Sequence, residues 1–174
     1  GGGGIGGTIG EGFGFAGSVG KVGEGGKVEV THTGDIITTG KYAHGIFAQS
    51  VGGADLGGDV IVTVDGDITV TGEGAAAIIA QSEGQGGKRN IDFIYQSGTI
   101  TGNSDGAVKF LDGADNSFTN YGVIKTVGGP EGTAFLTANG NDIIKNYGVV
   151  TGVINLGDGV NSFHNYSGAT LNSG

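Results

Sequence analysis

The sequence predicts an all-β fold, a parallel β-helix or β-solenoid, and three observations predict it. Short apolar runs alternate with polar residues at strand period, the runs recur at a near-fixed offset, and the intervening segments are rich in Gly, Asn and Asp. Of 174 residues 42 are glycine and one is proline, so a regular architecture has to account for the glycine. Collagen is excluded, because glycine does not fall on every third position. The apolar residues that remain are mostly Val, Ile, Leu and Phe, which suit pleated faces rather than a disordered chain.

Residues 1–26, "GGGGIGGTIGEGFGFAGSVGKVGEGG", place Phe13 and Phe15 between glycines and read as a glycine-rich loop or partial coil. Coils of the solenoid are expected over residues 27–174. The first carries "KVEVTHTGDIITT" and then "AHGIFAQSVGG"; the second carries "DVIVTVDGDITVT" and "AAAIIAQSEGQ". Residues 28–53 align on 60–85 without a gap at 14 identities in 26 positions, including Gly-Asp-Ile and Ala-Gln-Ser. A third copy follows in "SGTITG", with Gly98 in step with Gly66 and Ile100 with Ile68. Thereafter a different phrase recurs as "NSFTNYGVI", "NDIIKNYGVV" and "NSFHNYSGATL", each after a leucine-led turn, "LDGAD", "LTANG" and "LGDGV". The Asn-Tyr pairs at 120–121, 146–147 and 165–166 lie 26 and then 19 residues apart.

A propeller blade needs ~40–45 residues in four antiparallel strands, whereas a β-helix coil of ~20–30 residues gives each strand to a neighbour in the next coil. The observed period favours the β-helix, and its variation suits a coil that takes extra residues at a corner. Stacking then puts Val28 over Val60, Val30 over Val62, Ile36 over Ile68 and Ile100, Ile46 over Ile78, and Ala48 over Ala80, all facing inward. Gln49 over Gln81 and Ser50 over Ser82 close the strand with side-chain hydrogen bonds. Glycines 34/66/98, 40/72 and 122/148 are expected at positive φ in corners, and Asn120, Asn146 and Asn165 to share that conformation and form a ladder. Segments 51–58 and 83–89 are read as loops leaving equivalent corners.

Seventeen acidic against eight basic side chains give a formal net charge of −9, and the basic residues are scattered, which speaks against nucleic acid and anionic membrane surfaces. Cysteine is absent, so disulfides and thiolate metal sites are excluded. The longest apolar run, residues 75–80, is far short of the ~20 residues that span a bilayer, so no membrane insertion by this segment is expected. The chain opens on a glycine run with neither an initiator Met nor a charged leader, and it reads as a piece of a longer protein.

No catalytic, cofactor-binding or metal-binding residue is assigned. The G-x-G-x-x-G match at Gly12–Gly17 precedes no helix and arises by chance in so glycine-rich a chain. The turns holding Asp112, Asp115, Asp142 and Asp158 resemble calcium-binding nonapeptides but recur at 25 and 20 residues, not nine. Asp35, Asp65 and Asp67 are the carboxylates that a polysaccharide-acting β-helix enzyme would use, yet Asp35 and Asp67 are equivalent repeat positions, which the repeat itself explains. His32, His44 and His164 lack partners at ligand spacing, no serine lies in G-x-S-x-G, and the acceptor pattern Asn165-Tyr166-Ser167 arises by chance.

"GDIITTGKYAHGIFAQSVGG" and "GDVIVTVDGDITVTGEGAAAIIAQS", with the later "LGDGVNSFHNYSGATL", resemble repeats in the passenger regions of bacterial autotransporter (type V secreted) proteins. Glu83 and Gln85 depart from the family's apolar residue and glycine run. The resemblance implies a right-handed parallel β-helix, export across the outer membrane, an extracellular or cell-surface location, and a non-catalytic stalk or adhesin scaffold. It implies as partners the neighbouring β-helix coils of the parent chain and glycans or proteins on a host or neighbouring cell. The alternatives are a fragment of a secreted polysaccharide-acting enzyme and a calcium-stabilised surface repeat.

Overall fold

A computed structural model describes residues 23–174, and these form a parallel β-helix of six coils. The first coil contributes β1 (Val28–Thr33), β2 (Ile36–Thr38) and β3 (Ile46–Val51); the second β4 (Val60–Asp65), β5 (Ile68–Val70) and β6 (Ile78–Glu83). The third contributes β7 (Ile91–Ser97), β8 (Thr99–Gly102) and β9 (Val108–Asp112). The fourth has β10 (Asp115–Asn120), β11 (Val123–Thr126) and β12 (Thr133–Thr137), with a 3-10 turn at Gly129–Glu131. The fifth has β13 (Asn141–Asn146), β14 (Val149–Thr151) and β15 (Val153–Asn155), and the sixth β16 (Ser162–Asn165) and β17 (Thr170–Asn172). Every third strand pairs in parallel, giving sheet A from β1 to β16, sheet B from β2 to β17 and sheet C from β3 to β15. Of the glycine-rich loop or partial coil expected over residues 1–26, residues 1–22 lie outside the described residues, while the Gly25 N–H donates to the Leu56 carbonyl and the Gly53 N–H to that of Gly23.

Equivalent residues fall on one another as the repeat requires. Val28 pairs with Val60, Val30 with Val62, Ile36 with Ile68 and then Ile100, Ile46 with Ile78, and Ala48 with Ala80. Their alternation of buried and solvent-facing residues is the period-2 pattern of a strand with one face inside. In mid-solenoid the filling becomes aromatic: Phe93 and Phe118 stack at 4.7 Å and 3°, and Phe135 meets Phe118 edge-on at 4.8 Å. The offset between stacked residues is 32 and 31 in the first coils, 25 and 26 in the middle and 19 at the end. The residues are lost at corners: eight join β3 to β4 but two join β9 to β10, and Gly152 alone joins β14 to β15.

Asn120 and Asn146 are fully buried. The Asn120 amide donates to Asn146 Oδ1 at 2.8 Å, and the Asn146 amide to Asn165 Oδ1 at 2.7 Å. Each also closes its own corner, since Asn146 Nδ2 donates to the Gly148 carbonyl and its Oδ1 accepts the Gly148 N–H. The ladder expected from the Asn-Tyr spacing is therefore present, but its asparagines are not at positive φ. Among the described residues other than glycine, only Tyr42 and Asp112 are.

The glycine reading divides. Gly34, Gly66 and Gly98 have φ of 106°, 135° and 98°, as a corner requires. Gly40, Gly72, Gly122 and Gly148 are not among the positive-φ residues, which corrects the expectation. At three of these the constraint is space: a Cβ at Gly72 would sit 1.9 Å from the Gly40 carbonyl oxygen, at Gly148 2.0 Å from that of Gly122, and at Gly122 2.4 Å from the Tyr95 ring.

Two outcomes follow. Asn146→Ala leaves several buried backbone and amide groups without a partner and is expected to lower stability by about 2–4 kcal/mol, read from the urea midpoint, whereas Asn165→Ala at the exposed end costs much less. The sixth coil leaves Leu171 41% exposed beside strand edges unpaired among the described residues. The isolated chain is thus expected to associate end to end, and light scattering that shows a constant monomer mass at high concentration would contradict this.

Candidate functional site

The carboxylates with the strongest claim to chemistry are occupied in stacking. Asp35 Oδ1 accepts the Asp67 N–H at 3.1 Å, and Asp67 Oδ1 accepts the Thr99 N–H at 2.7 Å, so the aspartate beside each glycine corner ties down the backbone of the next coil. Asp65 accepts the hydroxyl of Ser97 one coil further on. The repeat sets the direction of Asp35 and Asp67, while Asp65 stands opposite Thr33 and Ser97.

Ala-Gln-Ser has three separate tasks. Ala48 and Ala80 fill the interior, and Gln49 Nε2 donates to Gln81 Oε1 at 2.7 Å on the other side of the strand. The serines do not bond to each other, as the sequence reading had it. Ser50 Oγ donates to the Gly26 carbonyl and accepts the Gly58 N–H; Ser82 Oγ donates to the Gly58 carbonyl and accepts the Arg89 N–H. Each hydroxyl thereby pins the corner segment that follows its own strand. Those segments stack as well: Gln85 N–H donates to Gly53 O, Gly86 N–H to Asp55 O, and Leu56 bridges Gly87. Residues 51–58 and 83–89 continue the coil rather than standing apart as free loops.

The four turn aspartates are dispersed in role. Asp112 pairs with Lys88 at 2.5 Å, Asp115 accepts the Asn141 amide at 2.8 Å, and Asp158 lies in an exposed turn. Among the described residues no three His, Asp or Glu side chains gather where they would hold a metal ion. Asp142 is fully buried, which sequence reasoning missed by reading it as a turn former. It occupies an asparagine column: Asn116 Nδ2 donates to its Oδ1 at 2.9 Å, and its N–H donates to Asn161 Oδ1 at 2.9 Å. Its Oδ2 and the hydroxyl of buried Thr137 are both without hydrogen-bond partners. Burial pushes the Asp142 carboxyl above its ordinary range, and the nearby Thr137 hydroxyl and Asn116 amide offset part of that.

His32 Nε2 lies 3.1 Å from the Gly34 carbonyl. His44 Nδ1 accepts the Ala76 N–H at 3.0 Å across the first two coils, which requires an unprotonated nitrogen. Burial, and then the charge of Lys109, hold its pKa below the ordinary value. Asn165 of the glycosylation pattern spends its amide on the ladder and on the Ala169 carbonyl.

What remains outward is a column of phenols. Tyr121, Tyr147 and Tyr166 each follow a ladder asparagine and so point the opposite way, into solvent. Tyr121 and Tyr147 stack with centroids 5.1 Å apart at 15°, and Tyr147 and Tyr166 4.2 Å apart at 7°, with His164 alongside. Because the rings cover one another face to face, they present edges and are poorly placed to receive a sugar ring on a flat aromatic surface. The signal was in the sequence: an inward Asn at each repeat puts the adjacent Tyr outward.

No protein-family model, characterised protein or solved structure matches this chain.

Asp142 and His44 give opposite pH windows. The raised pKa of Asp142 means the unfolded chain releases that proton first, so stability is lost as pH rises through and above the ordinary carboxylate range. Asp142→Asn keeps the acceptor for Asn116 and puts an amide N–H beside Thr137; a gain of about 1–3 kcal/mol is expected at pH 7, shrinking toward pH 3, by urea titration at each pH. The lowered pKa of His44 works the other way, with stability present above its unfolded value and lost as pH falls, a decline that His44→Ala removes.

Proposed function

We propose that this chain is a segment of the exported passenger of a bacterial autotransporter, a structural stalk or adhesin scaffold without catalytic activity. The observation that carries the reading is the distribution of polar side chains. The aspartates, asparagines and serines with the best claim to chemistry are spent on bonds to the next coil, in step with the repeat, whereas a catalytic constellation has to depart from it. Fold alone does not fix function, so the autotransporter part rests on the resemblance of the Ala-Gln-Ser and Leu-Gly-Asp-Gly phrases to passenger repeats.

In this reading the work is mechanical. Six coils at ~4.8 Å each make a spacer of roughly 25–30 Å, which extends the parent solenoid and carries its terminal modules away from the cell. Contacts with glycans or proteins of a host or neighbouring cell belong to the solvent faces of the sheets. A chain without cysteine suits passage across the outer membrane unfolded, since no premature disulfide can form.

The reading is tested on the full-length gene and on cells displaying its product. A downstream region of about a dozen alternating strands, able to close as a β-barrel, is expected, and protease added to intact cells should digest this segment. A gene without such a region, or a segment protected until the cells are lysed, would sink the proposal.

A further inference from the structure

The tyrosine column has a chemistry of its own, independent of where the protein resides. Tyr147 and Tyr166 are solvent-exposed, nearly parallel, and 4.2 Å apart between centroids. Their relative position is fixed from beneath: Asn146 Nδ2 donates to Asn165 Oδ1 at 2.7 Å, and the Tyr166 N–H donates to the Asn146 carbonyl at 2.9 Å. The rings are within 7° of parallel, so each lies face-on against the other across the stack. Tyr121 stacks on the far side of Tyr147 less closely, at 5.1 Å and 15°.

We propose that Tyr147 and Tyr166 are a site of oxidative cross-linking, joined as an intramolecular dityrosine by a one-electron oxidant of the peroxide-dependent class. Each phenol gives up one electron and its hydroxyl proton, and the two phenoxyl radicals couple by forming a carbon–carbon bond between ortho Cε atoms. Each of those carbons then loses its hydrogen as a proton while a proton returns to each oxygen, which restores both hydroxyls. One hydrogen peroxide is reduced to two waters, and the protein loses two hydrogen atoms. The stacked geometry favours this product because the two rings are already held face to face, so coupling does not wait for two chains to meet. The bond closes the segment from 147 to 166 and ties β13 to β16 covalently through the residues that follow them.

The test treats the folded chain with a peroxidase and hydrogen peroxide. Dityrosine fluorescence is expected, with an intact mass lower by two hydrogens, no dimer on a denaturing gel, and a digest that links 147 to 166. Tyr147→Phe and Tyr166→Phe keep the ring stack but should lose the product, whereas Tyr121→Phe should retain it. The cross-linked chain should also melt at a higher temperature than the untreated one. Equal loss in Tyr121→Phe, a link found only between chains, or an equal yield from the chain unfolded in urea would each overturn the assignment. These readouts are silent on export, so failure here and failure of the stalk reading are distinguishable.

Discussion

In-register stacking of parallel coils is the constraint on which the rest of this structure depends. Once Val28 lies over Val60 and Ala48 over Ala80, the other strand residues of these two coils lie opposite their equivalents at the strand spacing of ~4.8 Å. Two like apolar groups then pack well, two amides bond, and two ionised carboxylates would repel. The sequence obeys this closely. Aspartate succeeds aspartate at 35 and 67 only because each carboxylate turns to a backbone N–H of the next coil rather than to its counterpart. Where strands come closest at corners even a methyl group is excluded, which is why Gly72 and Gly148 cannot be enlarged.

The interior changes character along the solenoid. In sheet A the flanking columns are Val60 with Ile91 and Val64 with Tyr95 in the second and third coils, and they become Asn116 with Asp142 and Asn120 with Asn146 in the fourth and fifth. The central column stays apolar throughout, as Val62, Phe93, Phe118, Ile144 and Phe163. Over the same stretch the corners from sheet C to sheet A shorten, and Asn116 donates to the Asp112 carbonyl there, while Asn120 and Asn146 bond the backbone of the sheet A to sheet B corner, which has two residues in early and late coils alike. Tyr95 stands at the junction of the two regimes, its hydroxyl donating to the Gly66 carbonyl and its ring lying over Gly122.

How far this was legible depended on whether a residue was governed by its repeat position. The columns through Val28, Ile36 and Ile46, and the ladder through Asn120, Asn146 and Asn165, follow from spacing alone, because one register fixes them all. The role of Gly122 was not legible, since its neighbour is a tyrosine 27 positions earlier in a coil of another length. Asp142 was misread for a related reason: in a turn-rich context aspartate looks exposed, and only the register with Asn116 reveals that it points inward. The phenol column was implicit in the Asn-Tyr pairs, since each inward Asn places its Tyr neighbour outward.

The unequal coils bear on how the solenoid would behave under load. Its inter-coil hydrogen bonds run along the long axis, so tension applied end to end pulls on them directly and opens ladders rung by rung. Strands pair only between adjacent coils, with one bond skipping a coil, from the Gly174 N–H of the sixth to the Pro130 carbonyl of the fourth, so rupture proceeds largely one coil at a time. A coil of 19 residues releases about 65 Å of slack when it gives way and one of 32 about 110 Å, at ~3.4 Å per residue. Such a solenoid yields in graded steps rather than snapping, and the size of each step is set by the corners.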